Sequence, residues 1–412
     1  MLSGPHSLLS KPRGSTSKRV TSRPVAAPQD ETNAPAEPSN RRPASKENEP
    51  SISITTPRLT FRSSESPRGN EAQIPPVDVQ FLSEVPSSIV IKACSIFNRK
   101  FPELAFLHLP TMSIEARREP SGIDPILLAA ILALCARLLQ DRSTTHSSLS
   151  QTGESYANFL RKSFYQKIME PPSIETVQCL LIMSFYEWGD GCGYRAWMYS
   201  GTHNTPHSRI LAKSITGMAT RMMQSLYAIW HGIANSVQEA TTTLSEIENE
   251  VHNRTYWSCF VMDRMISCGL TQPLALPVSE MKIHLPIGEE DFAHGKCSVP
   301  RLTLKQLERT KESISGYATI DYSFSILIRG YEIWARLEKW IMNGGRRQSG
   351  MSDPQNCPWK STSPWWSIAE DLKIWRQHQD ERLCYPSSSV LVNAMFGKAE
   401  VFAYLNLLYY LW

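Results

Sequence analysis

A chain of 412 residues that is 41% hydrophobic and 20% charged is long enough to bury one large core or two smaller ones. The formal charge of +4 argues neither for nor against a polyanionic partner, but eleven Lys/Arg against six Asp/Glu fall in residues 1–70, which leaves the remainder close to neutral. Nine cysteines, an odd number set in apolar stretches at positions such as Cys135, Cys179 and Cys259, read as the reduced thiols of an intracellular protein and exclude a disulfide scaffold.

Residues 1–78 are rich in Ser, Pro, Thr, Arg and Asn and lack aliphatic clusters. Such a segment cannot bury enough apolar surface to offset its ordering entropy, so a disordered tail is expected there. Its start, MLSGPHSLLS, has no apolar run of the signal-peptide kind. Lys11–Ser15 (KPRGS) is either a basic linker or a minor-groove contact, and Thr56-Pro57-Arg58 and Ser66-Pro67-Arg68 fit proline-directed phosphorylation. From Val79 onward the pattern is helical. Ile123–Leu139 is apolar almost all round, as expected of a central core helix. Ile174–Tyr186 starts behind Pro172 with Ser173 as N-cap, and Ile174, Val177, Leu181 and Phe185 share one face. The glycines of GDGCGY (residues 189–194) follow as a tight turn.

Ser245 and Glu248 form a capping box at the next long helix, Glu250 faces Arg254 one turn on, and the helix should run to about Cys268 and stop at Gly269. Ile320, Phe324, Leu327, Tyr331, Trp334 and Ile341 mark a further long helix. After a loop with GGRRQSG and DPQNCP comes a short Trp-rich helix around Trp365–His378, then a last one from about Ser388. Leu405–Trp412 (LNLLYYLW) stops inside an apolar helical pattern with no cap, which suggests a truncated helix. No stretch alternates as a strand should, and the class expected is all-α. The longest apolar runs, Pro125–Ala136 and Val401–Trp412, are twelve residues each, short of the roughly 20 that a bilayer crossing needs.

Chemistry-bearing patterns are few. His203 and His207 have a metal-ligand spacing, but no third ligand is apparent and Pro206 sits between them, so an exposed loop is the competing reading. Cys192 lies in a turn that its glycines fully explain, with no assignable base. The chain has no GxSxG, no phosphate-cradling loop, no HExxH and no dinucleotide fingerprint. Charges set among large apolar residues are more informative. Asp263 and Arg264 lie among Tyr256, Trp257, Phe260 and Met265, where a bare charge is costly. Pairing of Asp263 with Arg195 or Arg254 as a structural clamp is expected; a ligand-sensing role is the alternative.

Several motifs occur in an order that resembles the regulatory (middle homology) domain of the fungal zinc-cluster transcription factors. They are FPELAFLHLPTM at Phe101–Met112, DPILLAAILALCARLL, TVQCLLIMSFYEW, RAWMYSG, MATRMMQSL, NRTYWSCFVMDR, QPLALP and HLP. The resemblance spans roughly residues 80–412 and implies a multi-helix regulatory domain preceded by the disordered tail. Its candidate structural or regulatory residues are Arg195, Trp197, Arg254, Trp257, Asp263 and Arg264. It also implies transcriptional regulation in the nucleus, contact with DNA and coregulators, a homo- or heterodimer and no membrane. In that family zinc sits in a six-cysteine DNA-binding module, but this chain has no CxxC and no Cys before Cys94. No cofactor is therefore expected in the chain itself, and any DNA contact should come through a partner or a module outside it.

Thr202–Gly217 interrupts the family motif between RAWMYSG and MATRMMQSL, and its excision would bring Met198, Met218, Met222 and Leu226 into four-residue steps. An insert, from a retained intron or as a genuine loop, is expected there. Two other functions remain open. An α-helical enzyme of the terpenoid-cyclising kind would need DDxxD-like clusters, whereas the acidic groups here are Glu246–Glu250 at a helix start and Glu289–Asp291 in a loop. A non-transcriptional helical scaffold is the third reading.

Overall fold

A computed structural model of the protein describes residues 80–118, 121–139, 150–191, 195, 217–236, 245–266, 274–297, 301–309, 317 and 319–411, and structural statements below concern these residues. The N-terminal tail, His203, His207, Cys192, Trp197, Gly269 and residues 202–216 of the suspected insert lie outside them.

The first half is built around one apolar rod. Helices α1 (Gln80–Ser83), α2 (Ser87–Lys100) and α3 (Leu109–Glu115) lead into α4 (Pro125–Leu139). Asp124 starts α4, its Oδ1 accepting from the amides of Ile126 (2.8 Å) and Leu127 (3.0 Å). Nine of the fifteen α4 residues are buried, so the helix must be enclosed. It is packed by α2, by α5 (Ser150–Lys167) and by α6 (Ile174–Gly189). Ser173 caps α6 as its sequence predicts, with Oγ accepting from Thr176 N at 3.2 Å. The helix ends at a turn in which Gly191 adopts φ +77°, a conformation that suits glycine.

Helices α7 (Met218–Ser236) and α8 (Glu246–Ile266) extend the body from α6. The capping box forms: Glu248 accepts from Ser245 N at 2.8 Å, and Ser245 Oγ accepts from Glu248 N at 3.2 Å. A buried polar cross-link ties α6 to α8, where Gln178 donates to Thr255 Oγ1 at 3.0 Å and Thr255 donates to the Val251 carbonyl at 2.8 Å. The chain over residues 274–297 and 301–303 then crosses α8 with little regular structure. It holds the short α9 (Glu289–Ala293) and one isolated bridge, His284 to Thr303, and leads to α10 (Leu304–Arg309). The acidic triplet expected in a loop thus begins a helical turn, because Gly288 enters it extended and the residues after it continue as helix.

The last third comprises α11 (Ser323–Met342), α12 (Pro364–Gln377), α13 (Val390–Met395) and α14 (Ala399–Leu411). Helix α11 packs on α8, and α12 and α14 pack on α11. The single C-terminal helix expected from about Ser388 is instead a helical hairpin. Gly397 at φ +66° turns the chain between α13 and α14, and much of α13 remains outside the core, with Leu391 and Met395 largely exposed. There is no strand among the described residues, and the protein is all-α.

Candidate functional site

Most of the charge buried in this body is organised by α8. Arg254 and Glu250, one helical turn apart, are both fully buried. Arg254 Nε donates to Glu250 Oε1 at 3.1 Å, and Nη1 donates to Glu289 Oε1 at 2.9 Å and to the Ala105 carbonyl at 3.0 Å. Its Nη2 donates to the Ile287 carbonyl at 2.8 Å, and the guanidinium lies 4.1 Å from the centre of the Phe292 ring. Glu250 is equally engaged: it accepts from the Ile287 amide at 3.1 Å, from Asn253 at 3.2 Å and from Arg301 at 2.5 Å. Four chain segments therefore meet on one buried pair. Burial opposes the Arg254 charge, yet Glu289 and Glu250 hold the guanidinium above its ordinary pKa.

The second centre lies two and a half turns further along. Arg264 is buried, reaches Glu332 of α11 from Nε (2.8 Å) and Nη2 (2.7 Å), and donates to the Leu276 carbonyl at 3.1 Å. Its guanidinium rests 3.2 Å from the centre of the Phe260 ring. Asp263 accepts from the backbone amides of Ala275 (3.0 Å) and Leu276 (3.2 Å), with Arg264 at 3.6 Å. Burial pushes the Asp263 carboxyl above the usual carboxylate range, against the pull of Arg264 and the two amides. Between the two centres Trp257, fully buried, donates to the His284 carbonyl at 2.7 Å. All three contacts grip the same crossing segment.

The expected partners of Asp263 are corrected by this geometry. Arg254 and Asp263 are nine residues apart on one helix, which places them about half a turn around from each other and about 13 Å apart along the axis. They cannot meet. Arg195 belongs to a third centre, pairing at 3.2 Å with Glu187, a buried carboxylate that Arg161 also reaches at 2.7 Å. Arg161 in turn holds Glu154, which accepts from the Tyr186 hydroxyl. Glu289, Glu332, Arg301, Glu187 and Arg161 were not singled out by the sequence. Only the acidic triplet containing Glu289 carried a signal, since the other pairings join residues far apart in the chain.

No group of three or more His, Cys, Asp or Glu that could hold a metal ion occurs among the described residues. Burial pushes the Cys94 thiol up to about 11 and holds Cys135, Cys179 and Cys259 above their ordinary range, which keeps them as inert thiols. A cavity of about 460 Å³ opens between the α1–α2 turn, the end of α3 and the start of α4. Its two arginines are engaged locally, Arg117 on the Ser113 carbonyl and Arg118 on Glu115, so neither guanidinium is left without a partner inside it. No described helix is long and apolar enough to cross a membrane.

The class these features define is an all-α domain whose irregular connections are fastened by buried ion pairs. Residues 95–319, more than half of the chain, match the model of the fungal specific transcription factor domain, and the chain belongs to that family. An uncharacterized transcriptional regulatory protein of Schizosaccharomyces pombe is 25% identical over 303 residues, covering 69% of this chain and 40% of the relative. Two Zn(2)-C6 fungal-type transcription factors of Fusarium oxysporum f. sp. lycopersici are 24% identical over 245 residues (58% of this chain, 24% of the relative) and 23% identical over 317 (73% and 26%). The chain thus spans two fifths or less of the length of these relatives. No solved structure matches it.

Proposed function

We propose that the chain is the helical regulatory body of a fungal transcription regulator, acting in the nucleus without enzymatic activity. The observation that carries this reading is the family match over residues 95–319. The buried carboxylates support it, because those of α8 are committed to arginines and backbone amides. Each such commitment ties a structural element down and takes that carboxylate out of acid–base work. Arg254, Trp257, Asp263 and Arg264 act in this view as clamps that fix the segment 274–288 against α8, and Arg195 secures α6 through Glu187.

Sequence-specific DNA contact requires base-edge readout, whereas scattered Lys and Arg contact phosphates and do not discriminate sequence. Residues 1–412 hold no zinc-cluster cysteine spacing. Specific recognition therefore comes from a zinc-cluster partner or module, and residues 1–70 add a weak, salt-sensitive attraction. Electrophoretic mobility shift of residues 1–412, with and without a zinc-cluster partner, tests this. A sequence-specific shift only with the partner is expected. Nanomolar, sequence-specific binding by residues 1–412 alone at physiological salt overturns it.

A further inference from the structure

Glu103 is the one carboxylate in the described core that no cation serves. It sits in the 3-10 turn Pro102–Leu104, is 3% exposed, and is flanked by Leu104 and Phe106, neither of which is exposed at all. One carboxyl oxygen bonds the Tyr404 hydroxyl of α14; the other, Oε2, is buried without a hydrogen-bond partner. Tyr404 continues the chain of contacts to the Tyr331 hydroxyl of α11 at 2.7 Å.

Several charged groups on the surrounding elements are engaged elsewhere. On α2, Arg99 and Lys100 reach out to Glu400 at the surface end of the same seam. On α8, Arg254 is fixed to the Ala105 carbonyl and to its own carboxylates. On α11, Glu332 is turned to Arg264. Burial accordingly pushes the Glu103 carboxyl up to about 7, the bond from Tyr404 pulling it down only in part.

We propose that Glu103, Tyr404 and Tyr331 form a proton-operated latch: α14 is held on the body while Glu103 carries a proton, and its undocking is favoured once that proton is lost. A buried carboxylate without a cation can be relieved only by water, and water reaches Glu103 when one of its walls moves. The turn bearing Glu103 cannot be that wall, because the next residue but one is bonded by Arg254 and Leu104 is enclosed. Helix α14 can. Its outward face leaves Leu407, Tyr410 and Leu411 exposed, it meets α11 and α2 along a short seam, and its remaining ties run through Asn406 to Leu383 and Tyr385 and through Tyr409 to Trp375, so that it can lift together with that segment.

The sign follows from linkage. With α14 open, Glu103 titrates near its ordinary 4.5; with α14 closed, near 7. Closure is fully favoured below 4.5, weakens through the window from 4.5 to 7, and is flat above it.

Hydrogen exchange of the full chain, corrected for intrinsic rates, reads the opening of α14 at its amides from Phe402 to Leu408. Those amides should exchange ahead of the α4 amides, and their opening constant should be about fifty-fold larger at pH 7.5 than at pH 5. In Glu103→Gln, which keeps the shape but cannot ionise, that difference should disappear. Equal protection of α14 and α4 overturns the latch, as does the same pH dependence in Glu103→Gln. Should that variant fail to fold, a wild-type α14 opening constant that is flat between pH 5 and 7.5 is sufficient to reject it.

Discussion

Replacing Arg254 by Met should be among the most damaging single changes in this protein. The substitution preserves an unbranched apolar stem in a fully buried slot but removes the donors that serve Glu250, Glu289 and the carbonyls of Ala105 and Ile287. Removing one partner of a buried ion pair typically costs about 3–5 kcal/mol. Two features set the value here. Glu250 keeps Arg301 and the Ile287 amide, so it is not stranded. The carbonyls of Ala105 and Ile287, by contrast, each lose their Arg254 donor. We expect a loss of about 4 kcal/mol. At about 1–2 °C per kcal/mol for a body of more than 300 residues, that is a fall of roughly 6 °C in melting temperature. Arg254→Lys, which keeps the charge but not the planar fork, should recover less than half of the loss. Circular dichroism melts and urea titrations of the three proteins measure this. An Arg254→Met melting temperature within about 2 °C of wild type would show that the four-segment junction contributes little.

Ser245→Ala should cost about 1 kcal/mol by removing the α8 cap, visible as an earlier urea midpoint at unchanged slope. Gly397→Ala should also cost about 1 kcal/mol in the same titration; a Cβ there meets nothing within 4 Å, so the penalty comes from φ +66° alone. Leu391→Lys and Phe396→Lys should leave the melting temperature nearly unchanged and reduce light scattering on concentration, since the two side chains are 79% and 75% exposed. Metal analysis after dialysis should find no stoichiometric zinc, and one tightly bound ion per chain would refute that expectation.

Local features of this fold were legible in the sequence because local rules dictate them. Ser173, the Ser245–Glu248 box and the Glu250–Arg254 pair lie within one helical turn and form as their spacing requires. The identity of Asp263 and Arg264 as buried charges was also legible, since apolar neighbours surround them in sequence. Their partners were not. Asp263 is satisfied by two backbone amides, and a backbone donor has no letter in the sequence. Arg264 meets Glu332, 68 residues away, a choice fixed only when α11 lies against α8. Glu103 did carry a signal, a lone carboxylate in FPELAF, but its place in a motif of apolar residues masked it. The break at Gly397 is hidden in the sequence because the apolar pattern continues on both sides, whereas the backbone changes direction at the one residue without a side chain.

The crossing segment from residue 274 to 288 inverts the usual division of labour between a helix and a loop. Its amides at Ala275, Leu276 and Ile287 and its carbonyls at Leu276, His284 and Ile287 are met by side chains of α8. The loop contributes main chain and the helix contributes chemistry. Main-chain groups are the same in almost every residue, so the loop side of this contact can drift in sequence, proline at an amide excepted, without losing a bond. The α8 side cannot, since a different side chain at Glu250, Arg254, Trp257, Asp263 or Arg264 changes the bond itself. Substitutional tolerance should therefore be set on the two sides by different terms: by packing alone at the buried Leu276, Leu285 and Ile287 of the irregular segment, and by hydrogen-bonding chemistry in the regular helix beneath it.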